Sequence, residues 1–96
     1  MDYKCKRWKL TRQRVLRRDG YMCQLSLRYG KHVPADTVHH IFPASEYPEY
    51  QWCEWNLISL NHSVHNTLHY RDSDKLTEEG ERLRQRVARM KNIPIE

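Results

Sequence analysis

The sequence predicts a small α+β domain: two short strands that pair as an antiparallel hairpin, a helix packed on them, and flanking N- and C-terminal helices. Three observations lead there. Trp8, Val15 and Leu16 recur at helical spacing with basic residues between them. Residues 37–42 and 57–60 are short apolar stretches of strand length, bounded by turn-forming residues. Helix-like runs follow Asn61 and Thr77, both residues that favour an N-cap. A chain of 96 residues suits one domain, 1–96. Such a chain buries a little over ~60% of its extended surface.

The elements follow in order. Residues 7–19 read as an amphipathic helix, with Thr11 or Lys9 near its start and Gly20 as a left-handed stop after Asp19. Residues 21–27 form a short strand or extended turn, and residues 30–36, containing Pro34, form a loop. The first strand covers residues 37–42 and Pro43 ends it. Residues 43–56 hold Pro43, Pro48, Trp52 and Trp55 without periodicity and read as a long, partly packed loop. Residues 57–60 are the return strand. Asn61 caps a helix over residues 62–71, and Asp72-Ser73-Asp74 breaks it. Thr77 caps the last helix, Glu78 and Glu79 complement its positive end, and Leu83, Val87 and Met90 supply its apolar face before Pro94.

Composition narrows the class. No apolar run approaches the ~18 residues that span a bilayer, and the first residues are polar and basic rather than signal-like. The chain reads as cytoplasmic, with no membrane partner. Cys5, Cys23 and Cys53 make neither an even disulfide set nor a Cys-x-x-Cys pair, so they read as reduced thiols.

The formal net charge is +5, but its distribution says more. Residues 1–20 carry eight Lys or Arg (Lys4, Lys6, Arg7, Lys9, Arg12, Arg14, Arg17, Arg18) against Asp2 and Asp19. Arg82, Arg84, Arg86, Arg89 and Lys91 make the last helix basic, while residues 36–79 hold eight acids against Arg71 and Lys75. A charge run alone is as readily a solvated helix face as a contact surface. With Tyr3, Trp8 and Tyr21 interleaved, the N-terminal basic helix suits a phosphate backbone gripped without regard to sequence.

The histidines carry the chemistry. His39 and His40 lie side by side in Val38-His-His-Ile41, where strand alternation points them to opposite faces and gives them different tasks. His65 and His69 are four apart, so on a helix they share one face and can converge on one ion. A metal ligand beside a non-ligand base is the pairing that hydrolytic metal chemistry requires.

In this order, His39-His40, Asn56, His65 and His69 resemble the HNH endonucleases, which are built on a ββα-metal finger. Three stretches carry the resemblance: Arg14-Val-Leu-Arg-Arg-Asp-Gly-Tyr-Met-Cys-Gln24, Val38-His-His-Ile-Phe-Pro43, and Asn56-Leu-Ile-Ser-Leu60 with His65-Asn66. They span the chain from about Trp8 to Tyr70, with the finger itself at about residues 37–71. The type is that of small freestanding phage nucleases.

The resemblance implies a role for each residue. His39, His65 and His69 are the expected ligands of one divalent ion, whether magnesium, manganese, nickel or zinc. His40 is the expected general base, and Asn56 the residue whose amide pins the loop and so orients His40. The bland alternatives are a packed strand histidine at His39 and a turn cap at Asn56. His62 shares roughly the helix face of His65 and His69 and could replace either as ligand. Relatives often hold a structural zinc with two Cys-x-x-Cys pairs; here the corresponding positions are Cys23, Ser26, Asn61 and Val64, so that zinc is not expected. The implied partner is DNA, cut to leave a 5′ phosphate and a 3′ hydroxyl, with phage terminase or packaging proteins as further partners. Two other readings compete: a catalytically silent, zinc-finger-like nucleic-acid-binding module, and an accessory subunit of a DNA-processing complex. His40 discriminates against the silent module, since a purely structural site has no use for a second histidine beside a ligand.

Overall fold

In the computed structural model, which describes residues 1–94, the N-terminal segment winds into helix α1 (Lys6–Arg18). Its buried residues Trp8, Thr11, Val15 and Leu16 recur every three to four positions. The cap is Cys5 rather than Lys9 or Thr11: its Sγ accepts a hydrogen bond from the Trp8 backbone N–H at 3.4 Å. Gly20, at φ +62°, ends the helix in the left-handed conformation its position calls for.

Residues 21–27 are not a strand. Met22 makes one isolated bridge to Pro34, and the chain then turns into a single helical turn, α2 (Gln24–Leu27). Gln24 satisfies the backbone carbonyls of Asp19 and Met22 through its side chain, which closes the turn locally instead of extending it.

Strands β1 (Thr37–His40) and β2 (Leu57–Leu60) pair antiparallel, with His39 opposite Ile58 and His40 opposite Leu57. The pleat splits the hairpin cleanly. Val38, His40, Leu57 and Ser59 face α1, where Val38 and Leu57 join Trp8, Val15 and Leu16 in one core. His39 and Leu60 face the other side, where Leu60, Ile41 and Phe42 pack with Cys23, Leu68, Leu83 and Ala88. The Ile41 N–H still reaches the Asn56 carbonyl (2.8 Å), the next position of the register, and the pairing ends there because Asn56 already belongs to a 3₁₀ turn. The connecting loop winds into two 3₁₀ turns, Pro48–Tyr50 and Glu54–Asn56, that set Tyr47, Tyr50 and Trp55 edge-on around Phe42.

Asn61 caps α3 as expected, but the helix spans only His62–His65. The next N–H groups bond three residues back, Thr67 to Val64 and Leu68 to His65, and the chain leaves the helix. It then runs against residues 75–77: Tyr70 N–H to the Lys75 carbonyl, Thr77 N–H to the Leu68 carbonyl, and a bridge between His69 and Leu76. His69 therefore does not lie on the helix that carries His65.

Helix α4 (Glu78–Lys91) is capped by Thr77, whose hydroxyl accepts from the Gly80 N–H, and Asn92 ends it in the left-handed region. Its buried face is rotated toward Gly80, Leu83, Arg84 and Ala88, leaving Met90 75% exposed rather than in the core. The rotation follows from Gly80, which brings the start of the helix against the Leu68 carbonyl. Among the described residues, no helix is long and apolar enough to cross a membrane.

Candidate metal centre and adjacent base

Strand alternation decides the site. His39 emerges from β1 toward α3, and its ring lies 5.1 Å from the His65 ring and 5.8 Å from the His69 ring, centroid to centroid. The Nε2 atoms of His65 and His69 face each other at 2.7 Å. One ring nitrogen from each of His39, His65 and His69 lies within 4.8 Å of the others, close enough for a single ion to touch all three.

The donor set fits a divalent metal on two grounds. His39 is 3% exposed and its Nε2 is buried without a hydrogen-bond partner, an unsatisfied polar atom aimed among imidazoles. The neighbouring rings also suppress protonation: burial, then the charges of His65, His69 and His40, hold His39 well below the ordinary histidine range. Burial and His69 lower His65 to about 4, against a smaller opposing pull from Asp36. Neutral imidazole is the form that donates to a metal.

His40 projects to the opposite face yet lines the same cavity, of roughly 330 Å³, together with Tyr3, Pro43, Ala44, Asp74 and Leu76. Its Nε2 lies 3.1 Å from the Gln51 carbonyl oxygen. A carbonyl only accepts, so Nε2 carries the proton and Nδ1 of the neutral ring is the bare nitrogen. Burial lowers the His40 pKa, while the Gln51 carbonyl and Asp74 pull in the other direction. The Trp8 indole stacks on its ring, with centroids 5.2 Å apart and planes at 19°, and Tyr3 meets it edge-on at 6.1 Å.

Asn56 is fully buried and its amide ties three backbone groups. Oδ1 accepts from the Phe42 N–H at 2.7 Å, and Nδ2 donates to the carbonyls of Phe42 and Tyr50, each at 3.1 Å. The loop between the strands is thereby closed at both ends, two residues beyond His40 and one before Gln51.

Two sequence readings change here. His62 stands outside the histidine cluster: Asp36 accepts from its backbone N–H at 2.8 Å and holds its Nδ1 at 2.7 Å. Within the basic helix, the arginines differ. Arg18 donates to the carbonyls of Glu54 (2.8 Å) and Leu57 (2.7 Å) and pairs with Asp19, which fastens α1 to β2. Arg12 donates to the Asp36 carbonyl, and Arg14 lies 3.5 Å from Glu54. Arg17 stays exposed. Trp8, Gln51 and Asp74 carried no signal of site membership in the sequence, because each comes from a different element and meets His40 only in the fold.

No protein-family model matches the chain, and no curated protein matches it. Among solved structures it is similar to the crystal structure of the HNH endonuclease of the deep-sea thermophilic bacteriophage GVE2, determined with a manganese ion. The two share 36% sequence identity at a TM-score of 0.65, over 67% of this chain and 70% of that one.

Proposed function

The chain belongs to the HNH endonuclease family, and on that premise we propose that it is a metal-dependent endonuclease hydrolysing phosphodiester bonds of DNA. The observation that carries this reading is the juxtaposition of three convergent imidazole nitrogens with a fourth histidine whose only bare nitrogen is Nδ1.

His39, His65 and His69 would hold one divalent ion. Bound there, the ion supplies positive charge that neutralises phosphate oxygens and stabilises the departing 3′ oxygen. His40 takes a proton from the attacking water at Nδ1, while its Nε2–H stays on the Gln51 carbonyl. Asn56 holds the loop that presents this carbonyl, so it acts on His40 through the backbone. Leu76, Pro43 and Ala44 form the apolar part of the cavity wall. The products are a 5′ phosphate and a 3′ hydroxyl.

DNA is gripped mainly through its phosphates by the basic N-terminal helix, with Arg17 its freest arginine. The likeness to a phage enzyme supports a place in phage DNA processing or packaging, with terminase or packaging proteins as partners, in the cytoplasm of the host.

Nicking of supercoiled plasmid with magnesium, manganese, nickel or zinc tests the reading. The His40→Ala variant should lose about 10²- to 10⁴-fold in rate while retaining calorimetric metal affinity. Near-native cleavage by a folded His40→Ala protein would remove the base assignment. A native chain that binds DNA and metal but cuts nothing would leave a silent nucleic-acid-binding finger.

A further inference from the structure

A single hydrogen bond does not fix an imidazole. With Nε2 held only by the Gln51 carbonyl, the His40 ring could still swivel about that contact, and Nδ1 would sweep an arc across the cavity. Trp8 removes this freedom. Its indole lies nearly parallel to the imidazole, 5.2 Å away at 19°, and both residues are buried, Trp8 at 5% and His40 at 7% exposure.

Trp8 is itself fixed by its surroundings. Its backbone N–H is held by Cys5 Sγ, and Tyr3 closes on its ring edge-on at 5.3 Å. The residue before it holds the other side of the base. The Arg7 guanidinium sits 4.0 Å over the ring of Trp52, the residue next to Gln51, and so ties the carbonyl-bearing loop to the same helical turn.

We propose that the first turn of α1 is the positioning device of His40: Trp8 sets the plane of its ring, and Arg7, through Trp52, sets the carbonyl that orients it. Since such positioning matters only where His40 is the base, it rests on the function proposed above. Burial in a core would account for an indole at this place, but not for its parallel stack on the one histidine whose orientation the reaction depends on.

The experiment is a double-mutant cycle on plasmid nicking at saturating DNA in manganese. Trp8→Leu should lower kcat by about 10- to 100-fold with KM and manganese affinity unchanged, and Trp8→Phe, which can still stack, should recover most of the rate. In a His40→Ala background Trp8→Leu should cause no further loss, because Trp8 acts only through His40. Equal losses in both backgrounds, or full activity of Trp8→Leu, overturn the proposal. If Trp8→Leu melts below the assay temperature, exposed Arg7→Gln replaces it. A several-fold loss of kcat confined to the His40 background supports the proposal, and an unchanged kcat overturns it. Full cleavage by His40→Ala alone removes the base assignment first and the positioning with it, whereas an inactive His40→Ala beside a fully active Trp8→Leu removes the positioning alone.

Discussion

Gly80 packs its bare Cα against the backbone carbonyl of Leu68, so closely that any Cβ there would overlap the oxygen. The contact seats the start of α4 on the segment that runs into His69, and the Thr77 hydroxyl donates to the Thr67 carbonyl at 2.6 Å beside it. A helix that otherwise only covers the core thus sets the backbone position of one of the three clustered histidines.

Gly80→Ala should therefore cost more than an ordinary helix substitution, although alanine favours helix. Overpacking of this kind costs about 1–3 kcal/mol, and each kcal/mol lowers the melting temperature of a domain this size by about 4–8 °C. The increase in melting temperature on adding manganese should also shrink, as Leu68 moves His69. Thermal melts with and without metal measure both effects. An unchanged melting temperature would mean that α4 shifts without cost.

The histidines should separate by metal response. His65→Ala should weaken metal affinity and shrink the metal-induced rise in melting temperature, because an ion that binds only the native state stabilises it to an extent that grows with its affinity. His62→Ala should leave both unchanged, since its ring is committed to Asp36. Calorimetric titration of the two variants decides; lost affinity in His62→Ala would return it to the ligand set.

Asn56 should tolerate almost nothing. Replacement by Ala strands the Phe42 N–H and the carbonyls of Phe42 and Tyr50, at about 1–3 kcal/mol for each buried group left unpaired. Asn56→Asp keeps the shape but turns the two donated bonds into repulsions between oxygens. Denaturant unfolding should find both variants severely destabilised, with Asp no better than Ala.

The two adjacent arginines of α1 should behave differently. Arg17→Ala should lower DNA affinity uniformly across sequences and make the slope of log affinity against log salt shallower by up to ~0.9, with the melting temperature unchanged. Arg18→Ala should lower the melting temperature, because the Glu54 and Leu57 carbonyls lose their donor. Binding in rising salt, with chelator present to block cleavage, and melts of each variant separate the roles. A shallower salt slope in both variants at constant stability would make the whole run a phosphate grip.

Stability should fall in acid partly through Asp19. Burial alone would raise its carboxyl, but hydrogen bonds from Arg18 and Ser59, with the guanidinium charge, outweigh it and hold it below its ordinary value of 3.8. A carboxyl lowered on folding contributes stability that is present above its unfolded value and lost as pH falls through the folded one. Asp19→Asn should be less stable than native at pH 7, with the difference shrinking below pH 3.8. A difference that persists undiminished to pH 2 would assign the effect to packing.

The features legible in the chain alone lie within a few residues of one another. The periodicity of Trp8, Val15 and Leu16, the caps at Asn61 and Thr77, and the left-handed stop at Gly20 all arise from local sterics and hydrogen bonding. The opposite orientation of His39 and His40 likewise follows from the pleat alone. The route by which His69 reaches the cluster is set by packing in the assembled fold. The residue arrives not along a helix face but through a bridge to Leu76 beneath the Gly80 contact. The same holds for Trp8 on His40, for Gln51 as its acceptor, for the commitment of His62 to Asp36, and for Arg18 as a tie to β2. The last four of these contacts join residues 11 to 39 apart, a separation at which neither period nor propensity carries a signal, and they exist only once the hairpin, its loop and the helices have packed.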